Sequence, residues 1–199
     1  MLHAVHCFRV FLPALALVAV LTSAVRAHAA PPPEPAESFT LAGQTLVLNG
    51  SGTRHKAVFK VYTAGLYLGA SARSGAEVVA LPGPKRLRIV MLREIDSGEL
   101  GKLFSRGMEE NMDKAAFSKL VPGVLRMSQV FSAHKKLLPG EEFCIDWVPG
   151  TGTVLTVKGE VQGEPFKEPE FFHALLGIWL GPHPADEQLK HALLGTAAP

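Results

Sequence analysis

Residues 57–68 read AVFKVYTAGLYL, the most apolar strand-forming stretch of this 199-residue chain. β-branched and aromatic residues dominate it, and both alternations are apolar, so it predicts a strand that is covered on both faces. Tyr62 shares one alternation face with Lys60, Ala64 and Leu66. Gly65 predicts a bulge or a close backbone approach. This strand is therefore expected to lie inside the fold.

Further β-rich segments lie on either side of this strand. They cover residues 44–48, 87–93, 142–148, 153–157 and 160–162. The glycine-rich residues 49–52 predict a turn that ends the first segment. Residues 149–152, Pro-Gly-Thr-Gly, predict a hairpin turn between two of the later segments.

Helical periodicity appears in two other regions of the chain. Asp96 followed by Glu99 predicts the capped start of a helix that reaches Met112. Three more helices are predicted, over residues 122–132 with Pro122 in the first turn, over 169–180, and from 184 to a stop at 195. Because strands and helices are segregated along the chain, we predict an α+β fold, an antiparallel sheet with helices packed on it.

The N-terminal residues predict an exported protein. Residues 1–29 contain a single early arginine, an apolar run over 10–21 and the small-x-small pattern Ala27-His28-Ala29, which are the parts of a signal peptide. A membrane anchor is disfavoured because the run is short and contains Pro13. We therefore expect cleavage near Ala29, a periplasmic or otherwise secreted product without an integral membrane segment, a Pro-rich leader over 30–37 and one domain over 38–196.

Composition excludes several classes of function. The chain has 20 Lys+Arg and 18 Asp+Glu, and residues 1–29 hold two of the arginines and no acid, so the processed chain has 18 of each. Neutrality argues against a nucleic-acid partner. Cys144 is the sole cysteine beyond residue 29, and its apolar context predicts a buried, inert thiol rather than a disulfide or a nucleophile. No hydrolase elbow, phosphate-binding loop or paired-histidine motif is present, so we predict no metal and no cofactor.

Arg54 and Tyr62 are the candidate ligand-binding residues. An arginine beside a tyrosine at the mouth of an apolar cavity would hold a carboxylate, because the guanidinium matches it bidentately and the phenol adds a donor. From the residues alone the more ordinary interpretation is an exposed turn arginine and a core tyrosine with a satisfied hydroxyl. Both interpretations stay open at this level.

Two groups of motifs carry a family resemblance. Residues 49–54 (NGSGTR) with 59–68 (FKVYTAGLYL), and residues 171–181 (FFHALLGIWLG) with 189–195 (LKHALLG), resemble the chalcone isomerase-like family, in particular its bacterial secreted branch. The resemblance covers essentially all of residues 39–195. It implies an open-faced β-sandwich, a large antiparallel sheet covered by a helical layer, with a pocket between the two.

The resemblance implies two functional classes. Some members are isomerases that close the ring of chalcones, and others bind fatty acids; the pocket arginine of both matches Arg54. The enzyme's threonine falls on Tyr62, its tyrosine near Asp96 and its asparagine near Leu103. Only the arginine of the enzyme's polar set is retained, which argues against flavonoid chemistry.

Three functions are therefore weighed. The first is a non-catalytic binder of a small amphipathic carboxylate such as a fatty acid, held by Arg54 and Tyr62. The second is an intramolecular lyase or isomerase in which Arg54 stabilises an enolate-like oxygen and Tyr62 acts as a general acid or a proton-positioning group. The third is a structural or partner-binding domain with a filled interior.

Overall fold

A computed structural model of the chain describes residues 34–196. The predicted signal peptide and residues 30–33 of the predicted leader lie outside the described residues, as do 197–199. Within the described part, no helix is both long and apolar enough to span a bilayer.

Strands and helices follow one another in the predicted, segregated order. The strands are β1 (Ser38–Leu41), β2 (Gln44–Lys56), β3 (Phe59–Leu68), β4 (Lys85–Met91), β5 (Ile95–Asp96), β6 (Lys136–Leu137), β7 (Glu142–Val148), β8 (Gly152–Val157) and β9 (Glu160–Val161). The helices are α1 (Gly75–Ala80), α2 (Ser97–Glu110), α3 (Lys114–Ser132), α4 (Pro169–Leu180) and α5 (Glu187–Leu193).

One antiparallel sheet of seven strands organises the fold. Its order is β1-β2-β3-β4-β7-β8-β9, and β5 pairs separately with β6. Strand β3 is buried along most of its length, as its apolar alternations predict. Helix α4 lies against β8 and the other helices, with Phe172, Leu175 and Trp179 in the core. The predicted α+β architecture, a sheet covered by helices, is confirmed.

The predicted turn at residues 49–52 is wrong, because β2 runs through this segment to Lys56. Gly50 and Gly52 allow helix α5 to pack closely against β2, because they have no side chains. A Cβ on Gly50 would lie 2.1 Å from the carbonyl oxygen of Ala192, and one on Gly52 would lie 2.7 Å from the Ala192 Cβ, so α5 packs directly on the backbone of β2. Asn49 secures the same contact by donating to the Leu193 carbonyl at 2.8 Å.

The predicted start of the second helix is also wrong. Helix α3 begins at Lys114, eight residues before Pro122, and the Asp113 side chain caps it by accepting from the amides of Ala115 and Ala116. Pro122 is exposed inside the helix. Packing of Val124, Met127 and Phe131 against the core holds the helix together across this interruption.

Five other local predictions can be compared with the structure. The β7–β8 hairpin, the span of α4 and the Asp96 cap of α2 are confirmed; the Asp96 carboxylate accepts from the Glu99 amide at 2.9 Å. The predicted bulge or close backbone approach at Gly65 is wrong, because the strand register is regular there and a Cβ would instead lie 3.0 Å from the Tyr67 ring. The last helix starts at Glu187, later than predicted, because Asp186 is its N-cap.

Candidate functional site

Arg54 and Tyr62 are cross-strand partners in the β2–β3 hairpin. The Arg54 Cζ lies 5.7 Å from the centre of the Tyr62 ring, within the range of a cation–π contact. Because Gly50 and Gly52 precede Arg54 on the same face of β2, α5 covers the glycines and Arg54 is the first side chain on that face beyond the contact. The hairpin thus holds the two predicted site residues side by side.

The Tyr62 hydroxyl is oriented by a tryptophan. Trp179 Nε1 donates to the Tyr62 hydroxyl oxygen at 2.8 Å, and both side chains are buried. An indole N–H can only donate, so the tyrosine oxygen accepts here and its own hydrogen points elsewhere. That hydrogen has no acceptor among residues 34–196.

Arg54 also has a donor without a partner. Its Nε is buried and finds no acceptor within the described chain. Asp186, the acid near the hairpin, is engaged otherwise: its carboxylate accepts from the backbone amides of His55 at 2.9 Å and Leu189 at 3.0 Å. Since buried donors are nearly always paired in folded proteins, the Arg54 Nε–H is an exception among the described residues, and it lies on the side chain next to Tyr62.

A cavity of about 310 Å³ adjoins Arg54 and Tyr62. Its wall is largely apolar and comes from Ile95, Leu100, Leu103, Phe104 and Ile178. Charged side chains lie around it, including Lys56 and the exposed Arg106–Glu110 pair, whose Nε to Oε1 distance is 2.8 Å. A largely apolar cavity that is also lined by an arginine and a tyrosine suits a molecule that has an anionic head and an apolar body.

A second cavity, of about 220 Å³, lies along the other face of the hairpin and is lined by Tyr67 and Arg88. Its arginine already has a partner, because Arg88 forms an ion pair with Glu142 and its Nε donates to the same carboxylate at 2.9 Å. The cavity at Arg54 is therefore the better candidate for an anionic ligand.

Burial controls the acidity of Tyr62. Loss of solvent raises the pKa of the phenol to about 12, although the charge of Arg54 and the Trp179 hydrogen bond act in the opposite direction. The hydroxyl therefore stays protonated at neutral pH and acts as a hydrogen-bond donor. A general acid would need a pKa much nearer the working pH.

The remaining residues singled out from the sequence lie apart from this chemistry. Asp96 caps α2, while Leu103 contributes an apolar wall to the cavity. Cys144 is buried as predicted, and burial raises the pKa of its thiol to about 12. No cluster of three potential metal ligands exists among residues 34–196.

Sequence reasoning missed Trp179 and Lys56 as parts of the site. Trp179 falls within the helix predicted over residues 169–180, and a signal was present, because a buried indole N–H needs an acceptor and so indicates a polar partner in the core. No feature of the sequence indicates that Lys56 lines the cavity, because its position there depends on β2 extending as far as residue 56.

Comparison with known proteins identifies a matching family and a solved structure of the same fold. The sequence profile of the family described as chalcone isomerase-like matches residues 33–195. A crystal structure of a fatty-acid binding protein from Arabidopsis thaliana superposes with a TM-score of 0.60 at 15% identity, covering 79% of this chain and 96% of that one. At this identity the likeness shows a shared fold. No sequence among the curated proteins matches the chain significantly.

Proposed function

The chain belongs to the chalcone isomerase-like family, and on that premise we propose that it is a non-catalytic binder of a small amphipathic carboxylate such as a fatty acid. The observation that carries the proposal is the buried Arg54 Nε without an acceptor, next to the free hydrogen of Tyr62. A carboxylate offers two oxygens to these two donors. The fatty-acid binding protein that shares the fold supports this choice of ligand.

The size of the cavity bears on the ligand's apolar part. About 310 Å³ is at the lower end of the ~300–1,000 Å³ of small-molecule pockets. We therefore expect affinity to rise with the length of the acyl chain only until the chain extends beyond the apolar wall. Each methylene that fits inside contributes about 0.8 kcal/mol before ordering costs.

The isomerase alternative has less support. It assigns proton transfer to Tyr62, whose pKa burial raises to about 12. Two of the three other polar positions of the enzymes are a helix cap at Asp96 and an apolar wall residue at Leu103. Incubation with chalcones gives a direct check, since cyclisation removes their long-wavelength absorbance and would have to depend on Arg54.

We further propose that the protein belongs to the bacterial secreted branch of the family and acts after export, in the periplasm. The signal-peptide pattern of residues 1–29 supports this assignment. The intact mass of the protein recovered from a periplasmic extract tests it: cleavage near Ala29 is expected, and an uncleaved chain retained in the cytoplasm would overturn it.

Calorimetric titration with saturated fatty acids of increasing chain length tests the binding function. Replacing a charge-assisted hydrogen bond weakens binding by about 1.5–3 kcal/mol, so Arg54→Gln should lower affinity roughly 10- to 150-fold. Arg73→Gln is the matched control, because Arg73 is an exposed arginine away from the cavity. The proposal fails if Arg54→Gln binds like the unmodified protein, or if the corresponding methyl esters bind as well as the acids.

A further inference from the structure

The turn between β2 and β3 exposes apolar side chains to solvent. We define the hairpin tip as residues 56–60, Lys-Ala-Val-Phe-Lys. Val58 is 86% exposed and Phe59 is 55% exposed, the first being the most exposed large apolar side chain in the described chain. Two neighbouring exposed apolar residues at a protruding turn indicate an interaction surface more strongly than isolated ones do.

Folding does not account for apolar residues at this turn. Lys56 pairs with Phe59, so Ala57 and Val58 are the two central residues of the hairpin turn. Ala57 has a φ of 53°, in the left-handed region where glycine, asparagine or aspartate is favoured. A polar or glycine turn would suit the backbone better, so the turn conformation does not itself require apolar residues at these two positions.

Cations surround the exposed apolar residues. Lys56, Lys60 and Arg93 are all exposed, and none forms an ion pair with another described residue. The Arg93 Cζ lies 4.7 Å from the centre of the Phe59 ring, so this charge sits directly at the aromatic side chain. No acidic residue occurs within residues 55–60.

We propose that the hairpin tip docks the protein on a lipid bilayer that contains anionic phospholipids. Val58 and Phe59 would enter the boundary between headgroups and acyl chains, while Lys56, Lys60 and Arg93 lie at the negatively charged headgroups. The charge pattern selects this occupant over a second copy of the chain, because two such tips would bring like charges together.

The tip lies next to the candidate ligand site. Lys56 belongs to the tip and also lines the cavity, and Arg54 lies two residues before Lys56 on β2. Docking would therefore place the cavity beside the membrane surface, where amphipathic carboxylates partition. This link to ligand uptake rests on the proposed function, whereas membrane docking itself does not.

Co-sedimentation with vesicles tests the proposal. The purified chain should bind vesicles of phosphatidylglycerol and phosphatidylcholine but not of phosphatidylcholine alone, and binding should weaken as salt is raised. Lys60→Gln should lower the partition coefficient about fivefold, the effect of one basic residue near an anionic surface. Val58→Asp should lower it at least as much, because it removes an apolar contact and adds a negative charge.

Val161→Asp is the matched control, since Val161 is a 64% exposed valine on β9, at the opposite edge of the sheet from the hairpin. It should leave vesicle binding unchanged. The proposal is overturned if both vesicle types bind equally or neither binds, if Val161→Asp acts like Val58→Asp, or if Val58→Asp instead abolishes a dimer or the capture of an acidic protein. Titration of Val58→Asp with fatty acid separates the two proposals: Val58 does not line the cavity, so this variant should lose vesicle binding but bind fatty acid as the unmodified protein does. If the unmodified protein binds vesicles but no fatty acid, the proposed function fails and docking stands.

Discussion

Substitution of Gly52 by alanine tests how β2 comes to hold Arg54 at the cavity. A Cβ at this position would lie 2.7 Å from the Ala192 Cβ and 3.1 Å from the Leu189 Cδ1. The Ala192 Cβ has no rotatable bond by which to retreat, so α5 must move away from the sheet. Overpacking of this kind costs about 1–3 kcal/mol. Alanine itself gains roughly 0.5–1 kcal/mol over glycine in a strand. The net loss of unfolding free energy is then between about 0 and 2.5 kcal/mol, with a midpoint near 1 kcal/mol.

A second substitution identifies the clash as the cause. Ala192→Gly alone should cost about 1 kcal/mol, the usual penalty for glycine inside a helix. Combined with Gly52→Ala it removes the atom that is too close, so the double variant should be less destabilised than the sum of the single variants by about 1–3 kcal/mol. Urea unfolding followed by circular dichroism measures all three. Gly69→Ala is the control, because nothing lies within 4 Å of a Cβ there.

The same variants connect packing to the ligand site. Arg54 follows Gly52 by two residues on the same face of β2, so displacement of α5 should weaken fatty-acid binding in Gly52→Ala and restore it in the double variant. The reasoning is refuted if Gly52→Ala is as stable as Gly69→Ala, or if the two substitutions are additive. Either result would mean that α5 does not rest on the glycine backbone.

Tyr62→Phe leaves the buried Trp179 N–H without its acceptor and should lower the unfolding free energy by about 1–3 kcal/mol in urea titrations; unchanged stability would show that the indole does not need this partner. Burial raises the pKa of the Cys144 thiol to about 12 from its ordinary value of 9.0. As the pH rises above about 9, the thiol therefore loses its proton in the unfolded chain before it does so in the folded one, and the free energy of unfolding falls. Between pH 9 and 10 the unmodified protein should lose about 1 kcal/mol more than Cys144→Ala, and parallel pH profiles in urea unfolding would contradict this. Pro122→Ala should stabilise the protein by about 1–3 kcal/mol, because an exposed proline inside α3 removes a helical hydrogen bond; a fall in the thermal midpoint would instead assign the proline a packing role.

The parts of the fold that were predicted correctly have local causes. The span of α4 follows from Pro169 in its first turn and Gly181 directly after it, and the β7–β8 hairpin follows from its turn residues. The glycines of β2 misled because their cause is distant: they make room for a helix about 140 residues later in the chain. A glycine needed for close packing and a glycine needed for a turn look the same in a single sequence.

The candidate site also has parts that the sequence predicts and parts that depend on distant contacts. Arg54 and Tyr62 were identified from residue types and the family motifs, but their pairing depends on β2 extending past the glycines. The bond from Trp179 joins residues 117 positions apart, so no local pattern predicts it. Whether a buried donor lacks a partner depends on the packing of the whole structure, so the unpaired Arg54 Nε–H could not be predicted from the sequence.

The orientation of the Tyr62 hydroxyl decides what kind of group the cavity can accept. Trp179 occupies the oxygen as an acceptor, and the raised pKa keeps the phenol hydrogen in place throughout the physiological pH range. Tyr62 therefore presents a donor toward any ligand, as the Arg54 Nε does. A cation would meet the charge of Arg54, and a molecule without an acceptor would leave both buried donors unpaired. An anionic acceptor would satisfy both at once, which is the reason for proposing a carboxylate as the head group of the ligand.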